Sequence, residues 1–124
     1  MYNMKICFLT FVCPRYDVGK MASLARNIGV DGVEIRIELG HAHNISSLTR
    51  PDERRRIQKI FEDEGIEIAS IATSVELGSP EKGISEFMME SGRANALLAR
   101  DLGAKILRVF LSQQPGVTVE QPLH

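Results

Sequence analysis

The chain stops and restarts three times on one signal. Gly29, Gly65 and Gly103 each close a stretch of helical periodicity, and an apolar run follows each at once: GVDGVEIRI, GIEIASIAT and GAKILRVFL. The glycines stand 36 and 38 residues apart, the period of one helix plus one strand. Strands separated by helical crossovers pair in parallel through right-handed connections. The spacing therefore limits the architecture before any motif is considered.

The first strand is expected over residues 5–11, where Ile6, Cys7, Phe8, Leu9 and Phe11 form the nearly continuous apolar run of a strand covered on both faces. A helix follows over 18–28, with Met21, Leu24, Ala25 and Ile28 on one stripe, Asp17 as N-cap and Gly29 just past its end. The second strand, 32–39, changes pattern. Val33, Ile35, Ile37 and Leu39 alternate with Glu34, Arg36 and Glu38, which in a helix-flanked sheet sends charge toward a polar interior or cleft. After a loop over 40–48, the second helix is expected from Thr49, with Asp52 as capping partner, Pro51 in the first turn, and Ile57, Ile60 and Phe61 buried. A third strand over 67–73 and a polar loop over 74–83 lead to a helix over 85–102. That helix is expected to bury Phe87, Ala94, Leu98 and Leu102, helped by Met88 and Leu97, and Gly92 predicts a kink or a start near Ser91. A fourth strand spans 105–111.

With 124 residues the chain is one ordinary domain, a unit over 1–112 and an irregular tail over 113–124. The fold class is α/β, four parallel strands alternating with three helices. An open doubly wound sheet and half of a (β/α)8 TIM barrel both fit. The barrel is favoured because successive units look alike, no G-x-G-x-x-G marks a switch point, and charge recurs inside strands at Glu34, Arg36, Glu38 and Arg108.

A net charge of −1 gives no bulk attraction to nucleic acid or an anionic membrane. The basic run Arg54, Arg55, Arg56 and Lys59 is balanced by nearby acids and reads as a solvated helix face. No apolar run reaches the roughly 20 residues of a membrane span. Cys7 and Cys13 lie too far apart on one strand for a disulfide, and unpaired thiols suit a reducing, cytoplasmic setting.

Taken together, GVDGVEIRIE, GIEIASIATS and RANALLARDLGAKILRVF resemble the N-terminal half of the xylose isomerase-like TIM-barrel family, which includes sugar isomerases and epimerases and the related apurinic endonucleases. The patterns that carry the resemblance are G-x-D-G-V-E-I-R at 29–36 and A-x-x-L-G-A-K-x-x-R-V-F at 99–110. The resemblance implies a barrel whose divalent metal (Mn, Mg, Co or Zn) is held by glutamates, an aspartate and a histidine from the second half. Those positions have no counterpart here, so no metal and no catalytic residue is expected of this chain alone. Where the endonuclease branch has a histidine followed by Pro-Gly, this chain has Phe110, Leu111 and Ser112, which counts against DNA repair.

Barrel active sites lie at the C-terminal ends of the strands. Glu34, Arg36 and Glu38 form either a charged row that orients substrate hydroxyls or a closed salt-bridge network. His41 and His43 form either a metal-binding or proton-shuttling pair or a solvent loop. Glu76, with Thr73 and Ser74, reads as a contact to a sugar hydroxyl or as an idle loop carboxylate. Arg108 reads as a ligand for a substrate phosphate or carboxylate, or as the ion-pair partner of Glu34 or Glu38. The function expected is that of the N-terminal part of a metal-dependent sugar or sugar-phosphate isomerase or epimerase, inactive without a second half. The alternative is a non-catalytic half-barrel that binds a ligand or partner. Because a half-barrel has two unpaired edges, a second copy or a complementary half-barrel is the expected partner.

Overall fold

Three identical helix stops underlie the repeat. After the first helix, Gly29 N–H bonds to Arg26 O and Val30 N–H to Ala25 O; after the second, Gly65 N–H bonds to Glu62 O and Ile66 N–H to Phe61 O; after the third, Gly103 N–H bonds to Arg100 O and Ala104 N–H to Ala99 O. These are paired Schellman bonds, and they need a left-handed residue at the turn. Gly29 and Gly103 supply it at φ 83° and 81°.

The computed structural model describes residues 4–111. Strands β1 (Cys7–Leu9), β2 (Gly32–Arg36), β3 (Glu67–Leu77) and β4 (Ile106–Leu111) alternate with helices α1 (Val18–Ile28), α2 (Pro51–Asp63) and α3 (Lys82–Leu102). All neighbouring strands are parallel, in the order β1-β2-β3-β4. That order decides between the two architectures. A doubly wound sheet reverses its strand order at a switch point, whereas a barrel adds strands in sequence. The chain is a four-strand arc of a barrel, with its helices packed side by side on one face. The tail expected over 113–124 lies outside the described residues.

The core lies between sheet and helices. Val33, Ile35, Ile37, Ile68 and Ile71 meet Met21 and Ala25 of α1, Ile57 and Phe61 of α2, and Leu98 and Leu102 of α3. Fully burying one such aliphatic or aromatic side chain stabilises the fold by about 1.5–3 kcal/mol. Because Val33, Ile35 and Ile37 face the helices, Glu34 and Arg36 face the opposite, concave side.

Several boundaries differ from the sequence expectation. β1 ends at Leu9, where a 3-10 turn over Thr10–Val12 begins. The strand is an edge with one neighbour, so Ile6 and Phe11 are exposed rather than covered on both faces. β2 ends at Arg36, because Glu38 adopts φ 69°. β3 continues to Leu77, four residues past its expected end, because its far end pairs with β4 after a register shift. α2 has Arg50 as N-cap and no side-chain cap; the Thr49 hydroxyl instead accepts the Ser46 N–H at 2.9 Å. α3 runs unbroken through Gly92 and starts at Lys82. It buries Asn95 and Ala99 with Leu98 and Leu102, while Phe87 and Leu97, and Ile28 of α1, are exposed. Arg54 departs from the solvated basic run. It is largely buried, bonds to the carbonyls of Ser47 and Thr49, and pairs with Asp101 at 2.9 Å, tying α2 to α3.

Candidate functional site

The polar side chains gather at the C-terminal end of the arc. In register, Arg36 of β2 lies opposite Ala72 of β3, and Ala72 lies opposite Arg108 of β4. Glu34 sits one layer lower, opposite Leu9 and Ser70.

Arg36 is the centre of this arrangement. It is only 7% exposed. Its Nη1 donates to Ile37 O at 2.7 Å and to Ala72 O at 3.2 Å, and its Nη2 donates to Ser74 Oγ at 2.8 Å. Its backbone N–H donates to Thr10 Oγ1 at 2.9 Å, and its carbonyl accepts from His43 Nε2 at 2.8 Å. Burial holds the guanidinium below its ordinary pKa, and the charge of Arg108 acts the same way, while Glu38 opposes. An arginine in this state remains a cation at neutral pH. Arg108 Nη1 donates to Thr73 O at 2.9 Å, and its guanidinium stacks 4.1 Å from the centre of the Phe110 ring.

The charged row expected of Glu34, Arg36 and Glu38 is not an ion-pair network. Among the described residues no ion pair joins the three. Glu38 has left the strand, and its Oε1 accepts from Ser74 N–H at 3.0 Å and from Asn95 Nδ2 at 3.4 Å. Arg108 pairs with neither glutamate, taking a backbone carbonyl and an aromatic face instead. Glu76 is an exposed strand residue opposite Phe110, not a loop residue.

His43 is locked by two backbone groups. Its Nε2–H donates to Arg36 O, and its Nδ1 accepts Ile45 N–H at 2.9 Å, which defines a neutral tautomer. Burial is the largest cause lowering its pKa; the Arg36 carbonyl opposes and His41 adds to the lowering. His41 stacks edge-on with His43 at 5.7 Å and with Phe11 at 6.0 Å, and its Nδ1 is buried without a partner. A metal does not fit this pair, because neither nitrogen of His43 is free to ligate. Among the described residues, no group of three or more His, Cys, Asp or Glu side chains is placed to hold one. A cavity of about 590 Å³ opens beside this loop, lined by residues that include His43, Ser46, Thr49, Arg50, Asp52 and Ile57 but neither Arg36 nor Arg108. Cys7 and Cys13 are free thiols, both with pKa raised chiefly by burial.

The His43 geometry sets a pH dependence. Its folded pKa lies below its unfolded value, so the unfolded chain binds the proton more readily. Stability is therefore full above the unfolded pKa of about 6.5 and falls as pH drops below it, levelling off below the folded pKa. Each tenfold difference in proton affinity between the folded and unfolded chain is worth about 1.4 kcal/mol of that loss. Urea unfolding between pH 7.5 and 5 is expected to show this loss, and His43→Gln to flatten it. An unchanged slope in the variant would assign the loss to other groups.

Two positions escaped the sequence reading. Thr10, inside an apolar run, is fully buried and holds the Arg36 N–H; Asn95, on the buried face of α3, reaches Glu38. The signal in both cases was a single polar residue in an otherwise apolar pattern.

These features define an arc of a (β/α)8 barrel with a polar, arginine-bearing wall at the catalytic end of such barrels. Two solved structures share the fold. One is the probable 3-DHS dehydratase AsbF involved in petrobactin synthesis from Bacillus anthracis, 21% identical, with a TM-score of 0.67 over 90% of this chain and 39% of that one. The other is D-psicose 3-epimerase in the presence of D-fructose, 16% identical, with a TM-score of 0.72 over 98% of this chain and 42% of that one. The chain thus spans about two-fifths of each structure it matches. No protein-family model and no curated protein sequence matches it. No helix among the described residues is long and apolar enough to cross a membrane.

Proposed function

We propose that this chain forms the N-terminal, substrate-contacting part of a xylose isomerase-like sugar-processing barrel, in an isomerase or epimerase reaction that a second half completes. The convergence of Arg36, Ser74 and Arg108 at the C-terminal end of an in-order parallel arc carries this reading. The two structural neighbours, a dehydratase and a sugar epimerase, support it at the level of fold. The chemistry of the class is proton abstraction beside a carbonyl, with a divalent metal polarising the oxygen. Any such metal would be held by residues from the second half. The residues of this half would bind and orient a sugar or sugar phosphate: Arg36 and Arg108 as donors, Glu76 at the rim, and His43 bracing Arg36 through its carbonyl.

In the same proposal a second copy or a complementary half-barrel covers the exposed apolar edge residues Ile6, Phe11, Ile106 and Leu111. Free thiols at Cys7 and Cys13 suit a cytoplasmic setting. The 124-residue chain alone is expected to leave ketohexoses unconverted in the presence of Mn²⁺, yet to show sugar-induced NMR shifts at Arg36 and Arg108. Light scattering on the same sample is expected to read an associated species. A stable monomer untouched by any sugar would defeat the proposal.

A further inference from the structure

Arg36 and Arg108 stand on opposite sides of one residue. Neighbouring strands are about 4.8 Å apart, so their Cα atoms lie about 10 Å apart across β3, within reach of two arginine side chains. Both side chains lean toward that middle strand. Arg36 Nη1 bonds to Ala72 O and Arg108 Nη1 to Thr73 O, consecutive carbonyls of β3. The residue between them in register is Ala72, a buried alanine with no side chain beyond its methyl group. The charge of Arg108 is felt at Arg36.

Two like charges side by side, one of them nearly buried, are unfavourable unless something negative lies between them. Among the described residues neither guanidinium is paired with a carboxylate. Glu38 is the acid whose charge reaches Arg36, but its carboxylate is turned to Ser74 N–H and Asn95. Arg36 braces Ile37 O and Ala72 O, and Arg108 holds Thr73 O and stacks on Phe110, but these contacts bring no negative charge to either guanidinium. Among the described residues, the bonds made by Arg36 leave its Nε–H and one Nη2 hydrogen without an acceptor, and those made by Arg108 leave its Nη2 and Nε. A planar fork of this kind matches the two oxygens of a carboxylate or phosphate.

We infer that Arg36 and Arg108, across Ala72, form a subsite for an oxyanion, so that the substrate of the barrel carries a phosphate or carboxylate. The sugar scaffold of that substrate rests on the function proposed above; the oxyanion rests on the arginine geometry alone. The test titrates the 124-residue chain with inorganic phosphate, acetate, D-fructose and D-fructose 6-phosphate, following the arginine Nε–H resonances. Inorganic phosphate or acetate is expected to shift Arg36 and Arg108 together, and the tighter of the two identifies the source of the oxyanion. Arg108→Gln is expected to weaken that binding about tenfold or more, the scale of one lost charge-assisted hydrogen bond, and Arg108→Lys to weaken it less. If Arg108→Gln does not fold, the wild-type resonances and Arg108→Lys still decide. Anions that leave both arginines unmoved, or a folded Arg108→Gln that binds them as the wild type does, overturn the subsite. If D-fructose binds while both anions fail, the subsite falls and the sugar proposal stands. If inorganic phosphate binds as tightly as D-fructose 6-phosphate, the subsite stands and the sugar proposal falls.

Discussion

Phe61→Ala is expected to remove about 4 kcal/mol of stability, within the range of about 3–5 kcal/mol seen when a buried phenylalanine is truncated. Phe61 is the largest of the fully buried side chains and is 1% exposed. It sits in the last turn of α2, where its own carbonyl accepts the Ile66 N–H that starts the return into β3. Truncation therefore opens a cavity beneath the helix and loosens the side chain above the stop. Domains of this size hold about 5–15 kcal/mol in total, so the loss is a large share. Urea unfolding followed by far-UV circular dichroism should show a lower midpoint at an unchanged slope. A loss under about 1 kcal/mol would mean that α2 is not anchored to the sheet through this residue.

Phe61 also shows how far the sequence could be read. Its place on a stripe with Ile57 follows from spacing alone, and both are buried. The C-terminal ends of the helices were equally legible, because glycine at a left-handed turn is a local requirement. Parallel pairing followed from those ends and the crossovers between them, while the arc was favoured over a doubly wound sheet by the likeness of successive units and the charges inside the strands. What failed was whatever depends on a neighbour distant in sequence. β3 runs past Thr73 because β4 lies beside it, and Thr49 does not cap α2 because Ser46 and Arg54 engage it first. The charges were placed on the correct face, but their partners were not foreseen. Glu34, Arg36 and Glu38 looked like an ion-pair row because side chains two apart share a face. That rule assumes one continuous strand, and the positive φ at Glu38 ends it. Asn95 was passed over because a helical stripe is scored by its apolar members, although it is as buried as Leu102.

Gly32→Val is expected to cost at least about 3 kcal/mol, at or beyond the upper end of what overpacking usually costs. Glycine is required here by proximity, not by a left-handed turn. A Cβ at Gly32 would lie 2.6 Å from the Glu67 carbonyl oxygen and 3.1 Å from Cys7 Sγ. The second contact can yield, since it is a side chain on an edge strand. The first cannot, because Gly32 and Glu67 are register partners and the surrounding backbone is fixed: Glu67 N–H bonds to Asp31 O at 3.0 Å, Asp31 N–H to Ile6 O at 2.8 Å, and the Asp31 carboxylate accepts Ile6 N–H at 2.8 Å. Asp31 and Gly32 thus join β1, β2 and β3 at the N-terminal end of the arc, and a side chain there pushes two strands apart. Adding Cys7→Ala should recover little of the loss, because the carbonyl contact remains. Gly83→Ala serves as the contrast. No atom lies within 4 Å of a Cβ at Gly83, which sits in the first turn of α3, and that substitution is expected to stabilise by about 0.4–1 kcal/mol. Rescue of Gly32→Val by Cys7→Ala would place the constraint on the thiol and refute the backbone account.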